Sequence, residues 1–173
     1  MNAGGRKRSA VVLVGHGSVP ADVPRPLVQR LRALEAERRS TGGKMSDEEH
    51  DLDAKIRRWP RTPATDPYKA GVEAIAEVLR GRVGNVVVAF NEYCAPSLEQ
   101  AVTELVRTGA THITIVTTML TPGGVHSEVE IPETVQALQK AYPDVFLRYA
   151  WPFDLDSVAR LLADACAVPV GGP

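Results

Sequence analysis

Three short runs of β-branched and aliphatic residues constrain this chain most. They are Ala10–Val14 (AVVLV), Asn85–Phe90 (NVVVAF) and His112–Thr118 (HITIVTT), with a weaker fourth at Val145–Tyr149 (VFLRY). The first two are apolar almost throughout rather than alternating, the pattern of strands covered on both faces. The stretches between them repeat at helical period. Leu27, Leu31 and Leu34 share one stripe, as do Val72, Ile75, Ala76 and Leu79, and Leu98, Ala101, Val102 and Leu105. Val135 with Leu138, and Val158 with Leu161 and Leu162, mark two more helices. Strand and helix alternate, which predicts an α/β fold: three layers, a four-stranded parallel sheet with helices on both faces. Right-handed crossovers make it a small doubly wound unit.

Composition narrows the function classes. Lys and Arg total 20 against 21 Asp and Glu, a net charge of -1, so no global field favours nucleic acid. Aromatic residues are 5%, too few for a base-stacking surface. No apolar run approaches the roughly 18 residues needed to span a bilayer. Met1–Arg8 is basic, but Val11–Val14 is too short for the core of a signal peptide. Cys94 and Cys166 lie far apart, without metal-finger or CxxC spacing, which suits a reducing, cytoplasmic setting. The length of 173 residues predicts one domain over 1–173, carrying an insertion.

That insertion is residues 40–66, Ser40 to Asp66, which is polar, charged and bounded by Pro60, Pro63 and Pro67. Ser46 and Glu49 form a Ser-x-x-Glu capping box that starts a short helix running to Arg58. Its acidic half (Asp47, Glu48, Glu49, Asp51, Asp53) precedes a basic half (Lys55, Arg57, Arg58, Arg61), the order that suits a helix dipole. The plainer expectation is a solvated surface excursion; the alternative is an arm that touches substrate. The Gly/Pro-rich tail Val168–Pro173 is expected to fray.

Open parallel sheets bind ligands beyond the carboxyl ends of their strands. The first strand is followed by Gly15-His16-Gly17-Ser18, the second by Asn91-Glu92-Tyr93-Cys94, and the third by the segment Met119–Glu128 that contains Gly123-Gly124-Val125-His126. His16, Glu92 and His126 therefore reach one rim, a nitrogen and oxygen donor set suited to divalent first-row metals. A single strand-end histidine is usually structural; three converging ends favour the metal site. Glycines flanking His16, and Gly123 and Gly124 before His126, leave room for a ligand to approach. Ser18 is a turn residue at the same mouth rather than a nucleophile. His112 starts its strand, about six residues at roughly 3.3 Å each from the rim, and is structural or solvent-facing. His50 is expected to be exposed, and Cys94 buried and inert. The Gly-His-Gly-Ser turn lacks a dinucleotide fingerprint, a phosphate loop and a nucleophile elbow.

These pieces together resemble the short-form CbiX family of sirohydrochlorin chelatases, within the class II chelatases. The likeness rests on Val14-Gly15-His16-Gly17-Ser18, on Ala89-Phe90-Asn91-Glu92 followed by Pro96-Ser97-Leu98-Glu99, on Gly124-Val125-His126 leading into Glu130-Ile131-Pro132, and on Tyr149-Ala150-Trp151-Pro152-Phe153. The resemblance implies a chelatase-like, flavodoxin-like half-unit that pairs as a homodimer. It also implies insertion of Co2+ or Fe2+, with Ni2+ a further candidate, into sirohydrochlorin without an organic cofactor. By position, His16 and His126 match the family's metal-site histidines and Glu92 its acidic residue. The insertion 40–66, Glu130 in place of the usual Asp, and the polar Met119–Gly123 depart from the pattern.

If the resemblance holds, neutral imidazoles hold the ion and Glu92 accepts a pyrrole proton or completes the metal shell. Activity should therefore fall as pH drops and the histidines protonate. A substrate with many carboxylates calls for cations at the mouth. Arg25, Lys69, Arg57 and Arg58 are the candidates, with Ser18, Gly123 and Gly124 also assigned to the substrate. Arg57 and Arg58 are expected to affect tetrapyrrole affinity more than metal affinity. Two rival readings are a non-catalytic metal or tetrapyrrole carrier of the same fold, and a metal-dependent hydrolase, which would need a leaving-group binder that is not evident.

Overall fold

The structure, a computed structural model, describes residues 8–167, so most of the basic N-terminal stretch and the Gly/Pro-rich tail lie outside the described residues. β1 (Ser9–Gly15), β2 (Val86–Phe90), β3 (His112–Thr117) and β4 (Phe146–Tyr149) form one parallel sheet in the order β2-β1-β3-β4. Each apolar run became a strand. Continuous burial of Val12, Leu13 and Val14 reflects helices on both faces of β1. Because β2 and β3 lie on opposite sides of β1, the crossover direction reverses there, which opens a crevice at the carboxyl end of β1.

On one face, α4 (Leu98–Arg107) and α5 (Ile131–Ala141) bury Leu98, Val102 and Leu138 against Val12, Val14, Ile113 and Ile115. On the other, α3 (Pro67–Val83) sets Val72 and Ala76 over Leu13, Val86 and Phe90. Local chemistry starts these helices. Ser97 and Gln100 form a complete capping box for α4, and Asp66 caps α3 through the Lys69 amide. α6 (Leu155–Ala167) forms where its apolar spacing predicts a helix, but buries none of its residues.

The segment 40–66 departs from the solvated excursion expected of it. Ser40 and Thr41 complete the last turn of α1 (Arg25–Thr41), which ends on Gly42 in the left-handed conformation at φ 64°. α2 (Asp47–Arg57) then packs back on α1, and Ile56 is fully buried with Leu31 and Val23 in a third core. Only half of the capping box forms. Ser46 accepts from the Glu49 amide, but the Glu49 carboxylate, 1% exposed, accepts instead from Arg38 Nε at 2.8 Å. Satisfying the buried Glu49 carboxylate with a charged donor outweighs the second cap bond.

Arg61, from the basic half, closes the excursion onto the sheet. Its guanidinium donates to the carbonyls of Ser18 (2.9 Å), Ile56 (3.1 Å) and Tyr93, and pairs with Asp66. One side chain thus joins the turn after β1, the end of α2, the turn after β2 and the start of α3. Burial alone would raise the Asp66 carboxyl. Hydrogen bonds from the Ser18 hydroxyl and the Lys69 amide, with the Arg61 charge, outweigh burial and hold it below its ordinary range.

Candidate metal centre

The strand ends bring His16, Glu92 and His126 together. One ligand atom from each lies within 4.8 Å of the others, against about 3.3 Å in a tetrahedral shell with bonds of about 2.0 Å, so a small inward movement closes on an ion. His16 Nε2 and His126 Nε2 each stand 3.9 Å from a different oxygen of Glu92, and the two rings meet edge to face at 4.7 Å.

The backbone makes this convergence possible. Beyond the strands, the Asn91 amide donates to the Gly15 carbonyl at 3.0 Å and the Glu92 amide to the His16 carbonyl at 2.8 Å, which continues the parallel ladder into the site. Gly17 sits at φ 100°, and a Cβ there would lie 1.9 Å from the Glu92 carbonyl oxygen. A side chain at this position would push the two ligand-bearing turns apart. The third turn is different. His126–Glu130 winds as a π-helical turn, closed by the Ile131 amide on the His126 carbonyl, and runs into α5. Such wide turns are frequent at functional sites.

Ring orientation is set by groups behind the ligands. His16 Nδ1 donates to the Gly17 carbonyl at 3.0 Å, which leaves Nε2 with its lone pair toward Glu92. Nδ1 of His126 lies 2.8 Å from both Glu130 Oε2 and the Asn91 amide nitrogen; with Asn91 donating to Glu130 and the carboxylate able only to accept, pairing of His126 with Glu130 puts the proton on Nδ1 and leaves Nε2 free. The Asn91 amide donates to the same Glu130 oxygen at 2.7 Å. Burial raises the Glu130 carboxyl, but the bonds from Asn91 and His126 outweigh it and the net shift is downward. Glu130, the departure from the family pattern, thus serves as the orienting carboxylate. Its spacing four residues after His126 was a signal for it.

A cavity of about 1300 Å³ opens over the triad, above the usual range for small-molecule sites. Its far wall is α1 and α2: Arg32, Glu35, Arg38, Arg39, Asp53 and Arg57. Arg39 Nη2 lies 3.7 Å from Glu92 Oε1, and the side chain is largely exposed. Burial, then the Glu92 charge, raises the Glu35 carboxyl, to which Tyr93 donates at 3.4 Å. Arg32, Glu35 and Arg39 repeat at i, i+3 and i+7, a polar stripe beside the leucine stripe of α1, and that spacing could have flagged them.

Of the expected substrate residues, Arg57 alone lines the cavity and the rest sit elsewhere. Arg57 lines the cavity, but its Nε is held by Asp53 at 2.7 Å, and its terminal nitrogens donate to the carbonyls of Asn91 (3.1 Å) and Cys94 (3.3 Å). It braces the turn that carries Glu92. Arg25 and Arg58 are exposed and line no part of this cavity, Arg58 folding back on the Ala54 carbonyl. Lys69 pairs with Glu73 beside the Arg61–Asp66 contact. Ser18 donates to Asp66 at 2.6 Å. Gly123 and Gly124 stay outside the cavity wall: the Gly123 amide donates to Glu128, and the Gly124 carbonyl accepts from the Glu128 amide. His112 contacts Thr111 and Phe146 at the opposite end of the sheet, His50 is exposed, and Cys94 is fully buried.

Comparisons with known proteins agree with this architecture. A CbiX protein from Marinobacter aquaeolei VT8, assigned to cobalamin (vitamin B12) biosynthesis, superposes with a TM-score of 0.56 at 18% identity, covering 91% of each chain. SirB from Bacillus subtilis, solved with Fe3+, superposes at 0.50 with 20% identity, covering 96% of this chain and 48% of that one. A sirohydrochlorin ferrochelatase of Priestia megaterium is 36% identical over 69 residues, which are 40% of this chain and 26% of that protein. The CbiX family model matches residues 64–166, more than half of the chain and the part that carries Glu92, His126 and Glu130, so the chain belongs to the CbiX family.

Proposed function

We propose that this protein inserts a divalent metal ion, cobalt or iron with nickel also accommodated, into sirohydrochlorin during cobalamin- or siroheme-type tetrapyrrole biosynthesis. The observation that carries the reading is the convergence of two oriented imidazoles and one carboxylate on a rim beneath a large, arginine-bearing cavity. Support also comes from the Priestia ferrochelatase and from the iron in the Bacillus SirB structure.

Metallation joins the ion to four ring nitrogens and releases two pyrrole protons. His16 and His126 hold the ion through Nε2, while Glu92 shares it and takes up one departing proton, the other passing to solvent at the open cavity mouth. Three protein ligands leave the shell open, so the ring nitrogens can displace them. Arg39 and Arg32 face the macrocycle's carboxylates from α1. The ion is the substrate, and no step here calls on an organic cofactor. The working unit is one domain in which residues 40–66 form part of the cavity wall. The protein acts as a cytoplasmic homodimer; among the described residues no helix is long and apolar enough to cross a membrane.

The test is time-resolved absorbance of sirohydrochlorin with Co2+, Fe2+ and Ni2+, run with wild type, His16→Ala and His126→Ala. Wild type should accelerate metallation over the protein-free control, and each variant should lose at least about tenfold in rate. A spectral shift without acceleration identifies a carrier instead. Unchanged rates in both variants refute the site.

A further inference from the structure

The cavity over the triad is lined by four carboxylates, Glu35, Asp53, Glu92 and Glu130. Three of them are committed. Asp53 accepts from Arg57 Nε at 2.7 Å. Glu130 accepts from the Asn91 amide and pairs with His126. Glu92 stands between the two imidazoles as part of the ligand set. Glu35 is uncommitted. Among the described residues its carboxylate makes no ion pair, and its one hydrogen bond, from the Tyr93 phenol, is long at 3.4 Å. A half-buried carboxylate held this loosely gives up hydration for little in return, which makes it a poor element of stability.

Its surroundings are nonetheless built. Glu35 lies on α1, on the wall that faces the triad across the cavity, in one polar stripe with Arg32 and Arg39. Tyr93 reaches it from the turn after β2. That residue sits at φ 55°, in the left-handed region that a bulky side chain rarely adopts. Arg61 donates to the Tyr93 carbonyl, and the ring packs against the core that holds Leu31 and Ile56. The charged and titratable groups around Glu35 are Arg32 and Arg39 on its own helix, Asp53 and Arg57 on α2, and Glu92 and Tyr93 on the turn. Burial, Glu92 and Asp53 raise its carboxyl, Arg39 and the Tyr93 bond lower it, and the net direction is upward. A raised carboxyl is the stronger base.

We propose that Glu35 accepts the second pyrrole proton, from the face of the macrocycle turned to α1, and releases it to water at the cavity mouth. The inference rests on the chelatase reading of the site and adds a residue to it. Metallation frees two protons, and Glu92, which shares the ion, takes one. A macrocycle seated between rim and wall meets the ion on the face toward His16, Glu92 and His126, and meets Glu35 on the other, so neither event obstructs the other. In the step itself the pyrrole N–H bond breaks and its electron pair stays on nitrogen, which closes the bond to the ion. An O–H bond forms on Glu35, and transfer of that proton to water restores the carboxylate. No oxidant or reductant is required. Glu35 lies outside residues 64–166, the part matched by the family model, so this acceptor comes from the helix that the chain adds before α2.

Single-turnover metallation of sirohydrochlorin by Co2+, with the full-length protein in excess, tests the assignment. Glu35→Gln keeps an acceptor for the Tyr93 phenol and removes the base. Its metallation rate should fall about a hundredfold, with sirohydrochlorin and Co2+ dissociation constants within about twofold of wild type. Glu35→Ala should lose as much. Formate, a small carboxylate that fits the space left by the side chain, should restore the Glu35→Ala rate saturably and leave the wild-type rate unchanged. A wild-type rate in Glu35→Gln overturns the proposal and leaves the chelatase standing. So does a loss confined to sirohydrochlorin affinity, which makes Glu35 part of the substrate seat. A loss in Glu35→Ala that formate does not restore makes its part structural and overturns the proposal as well. Wild-type protein that fails to accelerate metallation overturns the chelatase reading, and the role of Glu35 with it.

Discussion

Arg39 and Arg57 show how two arginines on one cavity wall take different work. Arg57 has its donors committed to Asp53 and to the carbonyls of the Asn91–Cys94 turn, so it positions Glu92. Arg57→Ala should weaken Co2+ binding about tenfold by titration calorimetry, with a smaller effect on sirohydrochlorin affinity. That reverses the ranking expected from its place in a basic run. Arg39 has only a loose 3.7 Å contact to Glu92 and an exposed side chain, so it is free to swing to a substrate carboxylate. Arg39→Ala should weaken sirohydrochlorin binding about tenfold without weakening Co2+ binding, since it removes a cation that competes for Glu92. Gly17→Ala should cost metal affinity at least as much as a lost ligand, because its methyl would meet the Glu92 carbonyl. Unaltered metal affinity in that variant would show that the two turns can part without consequence.

At the level of elements, the turns after β1 and β2 are tied to α2 and α3 through Arg61 and Asp66. The folded-state pKa of Asp66 lies below its unfolded value, so its contribution is complete above the unfolded pKa of about 3.9. It is lost as pH falls through the folded value. Asp66→Asn should therefore destabilise the protein by about 2–4 kcal/mol near pH 7, by leaving the Arg61 charge buried without its partner. The difference from wild type, measured by urea denaturation, should shrink as pH drops below about 4. A pH-independent difference would place the effect in the cap of α3 alone. The π-helical turn is held from another element: Tyr149 on β4 donates to the Ser127 carbonyl at 3.0 Å, and burial, with the Glu128 charge adding to it, pushes that phenol up to about 12. It remains a donor throughout the range in which the site works.

For the molecule as a whole, a net charge of -1 conceals a cationic wall facing an anionic and imidazole rim. Sirohydrochlorin affinity should fall severalfold between low and high ionic strength, while Co2+ affinity changes little; equal salt dependence of both would argue against the arginine wall. Much of this architecture was legible in the chain. Continuous apolar runs and helical stripes determined the strands, the helices and their alternation, because burial on two faces leaves a pattern in adjacent residues. The rim rule then brought His16, Glu92 and His126 to one edge, because a parallel sheet places every strand's carboxyl end there. The partners of the charged residues were not legible. Arg25, Arg58 and Lys69 look as available in sequence as Arg32 and Arg39, and only the packing of α2 on α1 decided which cations face the cavity. The capping box at Ser46 was written in the sequence, yet the Glu49 carboxylate turned to Arg38 once packing had buried it. Local spacing settles which backbone a segment prefers, whereas a long charged side chain chooses among partners distant in sequence, and that choice exists only after the elements have packed.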